Sequence, residues 1–262
     1  MPIELGPEAI GQWVGSFLWP LFRIGSFLMV IPIFGTQLVT ARIRVGLALA
    51  MTILVMPMIG DVPAVDGLSP EVAIISIQQV LIGSAMGFAV FMLFQVFVVM
   101  GQMIAMQMGL GFASMVDPAN GVNVPVLSQF YLNGITLLFL AMNGHLVLFD
   151  VIIESFQTIP IATDGLMVDS FRELAFRMTW LFASAMLLAL PAMSAVLIVY
   201  LSFGVMTRAA PQMNIFAIGF PIALLFGLFA NWVLVRDLSP HFQELSAETF
   251  RFLRSLRPPQ AG

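Results

Sequence analysis

What most constrains this chain is a set of long stretches that carry no charged side chain at all. No Asp, Glu, Lys or Arg occurs between Arg23 and Arg42, between Glu71 and Asp117, between Arg177 and Arg208, or between Arg208 and Arg236. A helix rises about 1.5 Å per residue, so roughly 20 apolar residues cross a hydrocarbon core, and each stretch is near or above that length. Inside lipid the backbone must satisfy its own hydrogen bonds, which leaves only helices and closed barrels. Barrel strands alternate apolar and polar side chains, and these stretches do not. The expected fold class is all-α, a polytopic membrane protein. Composition agrees: 60% of the residues are hydrophobic and 9% are charged, against about 25% charged in an ordinary soluble domain.

Six hydrophobic segments are expected, at about 13–33, 45–60, 72–100, 126–149, 178–203 and 214–235. The second is short and contains Pro57, so it could be tilted, interfacial or buried against protein. Pro20, Pro32, Pro191 and Pro221 interrupt other segments, and each removes a backbone donor and favours a kink. The expected architecture is therefore one of kinked helical hairpins rather than straight rods. Glu4 and Glu8 stand where a removable signal peptide would need positive charge, so none is expected. The absence of cysteine excludes disulfides, thiolate metal sites and iron–sulfur clusters.

All fourteen acids except Asp117 lie in the N-terminus, 61–71, 150–177 or the C-terminal tail. Six crossings put those regions on one side. The other side receives loop 34–44 with Arg42 and Arg44, a central loop near 101–125, and loop 204–213 with Arg208. Counting arginines alone makes the acid-rich side cytoplasmic. The short loops, which the positive-inside rule weights most, point the other way. The tail 239–257 has the pattern of a separate amphipathic helix, capped by Ser239 with Pro240 in its first turn. Glu244 and Glu248 lie towards its start and Arg251, Arg254 and Arg257 at its end, matching the helix dipole. A solvated or membrane-surface helix and a partner-docking helix both fit that pattern.

Membrane enzymes and pumps place ionisable groups inside their hydrophobic runs. Here only Arg23 does so, and snorkelling or pairing in an assembly explains it better than transport. His145 and His241 are the only histidines, too few and too far apart for a histidine-rich metal site. No H-E-x-x-H, G-x-S-x-G or Walker A sequence occurs. No catalytic site, metal or cofactor is expected.

The stretch from Met100 to Asn123 differs from the rest. It holds Met100, Met103, Met106, Met108 and Met115, four glycines, and a turn at Asp117-Pro118-Ala119-Asn120-Gly121. Asp117 is the only acid between Glu71 and Asp150. Methionine is flexible and can close around variable shapes. Glycine permits the unusual angles of a re-entrant loop, which at membrane depth must be protein-buried or line a pore. The plainer alternative is a surface turn with methionines packed as ordinary core. Gly83 and Gly87 form a G-x-x-x-G pair that allows close helix approach.

The run from Gly111 to Ile161 resembles the FliR family of flagellar biosynthesis proteins, the flagellar counterpart of the type III secretion T subunit. The resemblance rests on Asp117-Pro118, Gln129 to Tyr131, Asn143-Gly144-His145, and Glu154-Ser155-Phe156 with Pro160. It extends to Arg208-Ala209-Ala210-Pro211-Gln212-Met213-Asn214 and Gly219-Phe220-Pro221, a stretch that also looks like the cytoplasm-facing turn of the small two-helix Q subunit. It covers essentially the whole chain and is specific as a set.

Such a resemblance implies a structural subunit of an export gate, like a P subunit fused to a Q subunit. Residues 1–177 would be the P-like part, 178–235 the Q-like hairpin and 236–262 the tail. The implied partners are FliP-type and FliQ-type subunits, a FlhB-type switch subunit, membrane lipid and the unfolded flagellar proteins that pass through; no nucleic acid is implied. The implied place is the bacterial inner membrane within the flagellar basal body, with parts projecting on the periplasmic side. Mapped onto this chain, a pore plug would occupy 106–121, with Met106, Met108, Gly109, Leu110, Gly111, Phe112, Met115, Asp117, Pro118 and Gly121. Arg23, Gly83, Gly87, Arg208 and Gln212 are the assembly candidates. A small-molecule secondary transporter is the alternative, and it would need polar sites at the midplane. An intramembrane enzyme has no candidate nucleophile and base.

Overall fold

The computed structural model describes residues 7–36, 39–60, 62–63, 69–110, 126–163, 165–166, 168–210 and 215–256. Among them every regular element is helical: α1 (Pro7–Val30), α2 (Ala41–Val55) with a tight turn at Met56–Met58, α3 (Pro70–Gln107), α4 (Val126–Ala141), α5 (Gly144–Thr158), α6 (Val168–Ala209), α7 (Ile215–Arg236) and α8 (Leu238–Ser255). Pro7 and Pro70 open α1 and α3, where the missing N–H costs no hydrogen bond. Asp169 lies in the first turn of α6 and Arg208 in its last, each opposite in sign to the helix dipole beside it.

Four helical stretches are long and apolar enough to cross a membrane: Ala41–Met58, Pro70–Gln107, Asp169–Ala209 and Ile218–Arg236. Val14–Val30 is a shorter apolar helix. The expected segment 126–149 is not one rod. It is α4 followed by α5, bent by 72°. Asn143 occupies the left-handed region with φ 57 between them, a conformation that asparagine tolerates better than most residues. The expected segment 178–203 is the middle of a 42-residue helix, α6, with Pro191 inside it. That helix begins ten residues earlier, at Val168, with Asp169 in its first turn, and the buried Arg177 within the added stretch is held by Glu248 and Phe252.

The chain forms two compact units. One comprises Met1–Met92, Met142–Arg177 and Ala247–Gly262. Its fully buried side chains include Ile24, Phe27 and Leu28 of α1, Ile75 and Ile82 of α3 and Ile152 of α5. Arg44 holds the backbone after α1, its Nε donating to the Phe34 carbonyl at 2.9 Å and its Nη2 to those of Thr36 at 3.1 Å and Val39 at 3.3 Å. The end of α8 packs in the same unit through buried Leu253 and Leu256. Arg177 pairs with Glu248 at 3.1 Å and lies 4.4 Å over the Phe252 ring, and Arg254 pairs with Glu154 at 2.9 Å. The amphipathic tail thus docks on its own chain.

The other unit comprises Leu93–Ala141 and Met178–Ser246. Four phenylalanines centre its core. Phe94 and Phe139 meet edge to face at 5.4 Å, and Phe242 lies 5.8 Å from Phe97 and 6.2 Å from Phe139, spacings typical of favourable aromatic pairs.

Candidate functional site

The segment that carries most of the sequence-level signal, 106–121, begins inside α3. Met106 and Gln107 form its last helical turn. The helix then stops through a backbone device. The Gly109 amide donates to the Met106 carbonyl at 3.1 Å and the Leu110 amide to the Ala105 carbonyl at 3.0 Å, with Gly109 at φ 81. That pair of bonds around a left-handed residue is the Schellman ending, which favours glycine because a Cβ would be strained there. Gly111, Phe112, Met115, Asp117, Pro118 and Gly121 lie outside the described residues, as does Gln212.

The methionines at the foot of the segment have opposite fates. Met106 is 61% exposed, whereas Met108 is fully buried. The Met108 side chain fills the notch left by Gly227 of α7, where a Cβ would come within 2.8 Å of its Sδ and 2.9 Å of its Cε. Gly109 lies against Phe220, with a Cβ there falling 2.8 Å from the ring. On the far side of the segment, α4 crosses α3 at backbone contact: a Cβ on Gly101 would sit 2.9 Å from the Ser128 Cα and 2.9 Å from the Tyr131 ring. The buried Tyr131 hydroxyl donates to Oδ1 of Asn231, also on α7. Gly227 and Asn231 are four residues apart and therefore share one helix face. Tyr131 and Asn231 are neutral polar residues a hundred positions apart, with no spacing in the sequence that could pair them.

The other unit holds the one charge found within an apolar run. Arg23 is fully buried. Its Nε donates to Gln79 Oε1 at 2.8 Å, and its Nη1 donates to the Ser155 carbonyl at 2.9 Å and to Ser155 Oγ at 3.3 Å. The guanidinium lies 4.3 Å over the Phe156 ring. Its Nη2 and the Nε2 of Gln79 have no hydrogen-bond partner among the described residues. Arg23 therefore ties α1 to α3 and α5 inside its own chain. The close helix approach lies beside it: a Cβ on Gly83 would collide with the Arg23 carbonyl and Ser26 Oγ, and one on Gly87 would lie 2.9 Å from the Val30 Cβ. Arg208, by contrast, is exposed at the end of α6. Among the described residues no group of three His, Cys, Asp or Glu side chains could hold a metal ion.

Comparison with known proteins matches these helices to one family. The model for bacterial export proteins, family 1, matches residues 14–249. The chain is 35% identical over 256 residues to the flagellar biosynthetic protein FliR of Escherichia coli (strain K12), covering 97% of each chain. It is 33% identical over 245 residues to the protein of the same name from Pectobacterium carotovorum subsp. carotovorum, covering 94% of each. To that of Buchnera aphidicola subsp. Acyrthosiphon pisum (strain APS) it is 31% identical over 243 residues, covering 92% of this chain and 93% of the relative.

Proposed function

The chain belongs to the bacterial export proteins, family 1, and from that premise we propose that it is a channel subunit of the flagellar protein export gate. It assembles with FliP-type and FliQ-type subunits, next to a FlhB-type switch subunit, in the bacterial inner membrane at the flagellar basal body. The assembled pore passes unfolded flagellar proteins, and residues 106–121 close it. In this reading 1–177 corresponds to a P-type subunit and 178–235 to a Q-type hairpin, the latter supported by two long apolar helices, α6 and α7, that follow one another in the chain.

One observation carries the assembly reading. Large apolar side chains stand exposed along one face of α6 from Phe176 through Phe182, Leu187, Leu197 and Leu201 to Val205. At about 1.5 Å per residue that exposed face is roughly 45 Å long. A bilayer's hydrocarbon core is about 30 Å thick, and helices tilt by about 20° on average, so lipid covers only part of it. The remainder needs apolar protein. Co-expressing the tagged chain with P-type and Q-type subunits tests the proposal. A stable hetero-oligomer is the expected product, and recovery of the chain only as a stable monomer contradicts it.

A further inference from the structure

We propose that the exposed face of α4 carrying Gln129, Phe130 and Asn133 is the surface of this chain that meets the backbone of a passing unfolded polypeptide. The inference rests on the reading of the chain as a subunit of a protein export gate.

The two faces of α4 differ in character. Leu127, Ser128, Tyr131, Ile135 and Phe139 are buried, whereas Val126, Gln129, Phe130, Asn133 and Leu137 are exposed. Each set falls on one side of a helix with 3.6 residues per turn. The exposed side is not the uniform apolar surface that lipid favours. Gln129 and Asn133 stand one turn apart on it, and Asn133 is the eighth of the sixteen residues of α4. It is therefore far from the helix ends, where polar side chains reach water by snorkelling. An amide held in hydrocarbon costs free energy wherever its hydrogen bonds are unmade. The two amides bond to each other, Gln129 Nε2 donating to Asn133 Oδ1 at 2.9 Å. That bond leaves Gln129 Oε1 as an acceptor and Asn133 Nδ2 as a donor, both without a partner among the described residues. Lipid serves neither group, whereas water and a peptide backbone serve both.

Three features favour a passing chain over a fixed neighbour. The remaining acceptor and donor match the N–H and C=O that a polypeptide presents whatever its side chains. Neither the amides nor the Phe130 ring, set edge to face against Tyr131 at 5.6 Å, carries charge. Contact with them is weak and independent of sequence, as a surface that must release what it holds requires. A permanent subunit contact would bury both amides, where leucine packs at lower cost. Beside them, a Cβ on Gly134 would meet nothing within 4 Å. Glycine inside a helix is less stable than alanine, and this open position suits a backbone that approaches from outside the chain.

The test places photo-reactive residues at Phe130, Asn133 and Leu137 of the full chain, in cells that assemble the complex. The probe is a flagellar export substrate stalled by fusion to a domain that does not unfold. Tagged substrate is expected to cross-link at all three positions and not at Leu187 of α6, and the cross-links are expected to vanish when the substrate is not made. Cross-links to a P-type or Q-type subunit that persist unchanged without substrate overturn the proposal. So does capture of no substrate at the three positions in complexes that export an unfused substrate normally. Gln129→Leu combined with Asn133→Leu alters only exposed side chains. It is expected to lower export per assembled complex by roughly fivefold, the factor that accompanies one net hydrogen bond, while Asn133→Gln is expected to keep the wild-type rate. An unchanged rate in the double leucine variant also overturns the proposal. The underlying reading fails on a separate result: cells lacking the chain that still export flagellar proteins overturn the export-gate assignment itself.

Discussion

Arg23 Nε donates to Gln79 Oε1 at 2.8 Å, and neither side chain keeps any solvent exposure. The pair joins α1 to α3, and the further bond to the Ser155 carbonyl brings in α5. All of the acceptors are neutral, so the cation depends on each of them more than an ion pair would. Gln79→Leu is expected to destabilise the folded chain by about 3 kcal/mol, because the buried Arg23 Nε loses its acceptor and only the Ser155 bonds to Nη1 remain. Replacing both residues by apolar ones, Arg23→Met with Gln79→Leu, is expected to cost less than Gln79→Leu alone. Heat-induced loss of the complex in detergent gives the ranking, and a Gln79→Leu protein as stable as the wild type contradicts it.

The two glycines of the G-x-x-x-G pair differ in what a methyl group would meet. At Gly83 a methyl group would overlap the Arg23 carbonyl and Ser26 Oγ outright, while at Gly87 it would meet the Val30 Cβ at 2.9 Å and the Phe27 carbonyl at 3.0 Å. The deeper overlap at Gly83 demands the larger backbone shift. Gly83→Ala is expected to cost on the order of 3 kcal/mol and Gly87→Ala about 1 kcal/mol. Accumulation of each variant in membranes checks the order, and equal tolerance at the two positions refutes it.

Among the described residues two ion pairs fasten the tail, and their exposure decides their worth. In the first pair Arg177 is 10% exposed and Glu248 41%, whereas in the second both partners are open, Arg254 at 50% and Glu154 at 42%; the difference lies in the buried Arg177. Exposed pairs contribute about 0–1 kcal/mol and are screened by salt. Glu248→Gln is therefore expected to release the tail to protease more readily than Glu154→Gln, with a difference that persists at high salt. Equal cleavage rates would overturn this.

The bend between α4 and α5 depends on Asn143 adopting φ 57. Asn143→Gly is expected to be neutral or slightly stabilising, and Asn143→Val to cost about 2 kcal/mol, since a β-branched residue is strained there. Thermal melting of the purified complex distinguishes the two, and a tolerated valine would mean that the bend is not held locally.

Much of this arrangement was legible in the amino-acid sequence, and the omissions have physical causes. Uncharged run length placed the helices because burial from water is a local property of composition. The spacing of Gly83 and Gly87 marked a close approach because a helix brings those positions onto one face. Arg23 stood out as the lone charge in an apolar run, but its partners Gln79 and Ser155 are neutral and distant in the chain, so no pattern joined them. The break at Asn143 was hidden because hydropathy averages straight through Met142-Asn143-Gly144. The early start of α6 was hidden for the opposite reason, since Arg172, Glu173 and Arg177 resemble a loop until Arg177 is seen buried against Glu248 and Phe252. Tyr131 and Asn231 gave no signal as a pair, because tertiary contact alone relates them.

The central claim is that the exposed apolar face of α6 is covered by other export subunits, and site-specific cross-linking in living cells tests it most directly. Photo-reactive residues at Phe182, Leu187, Leu197 and Leu201 are predicted to capture P-type or Q-type subunits along the helix. A chain that cross-links to no other protein at any of the four positions, while remaining folded in the membrane, would contradict the account.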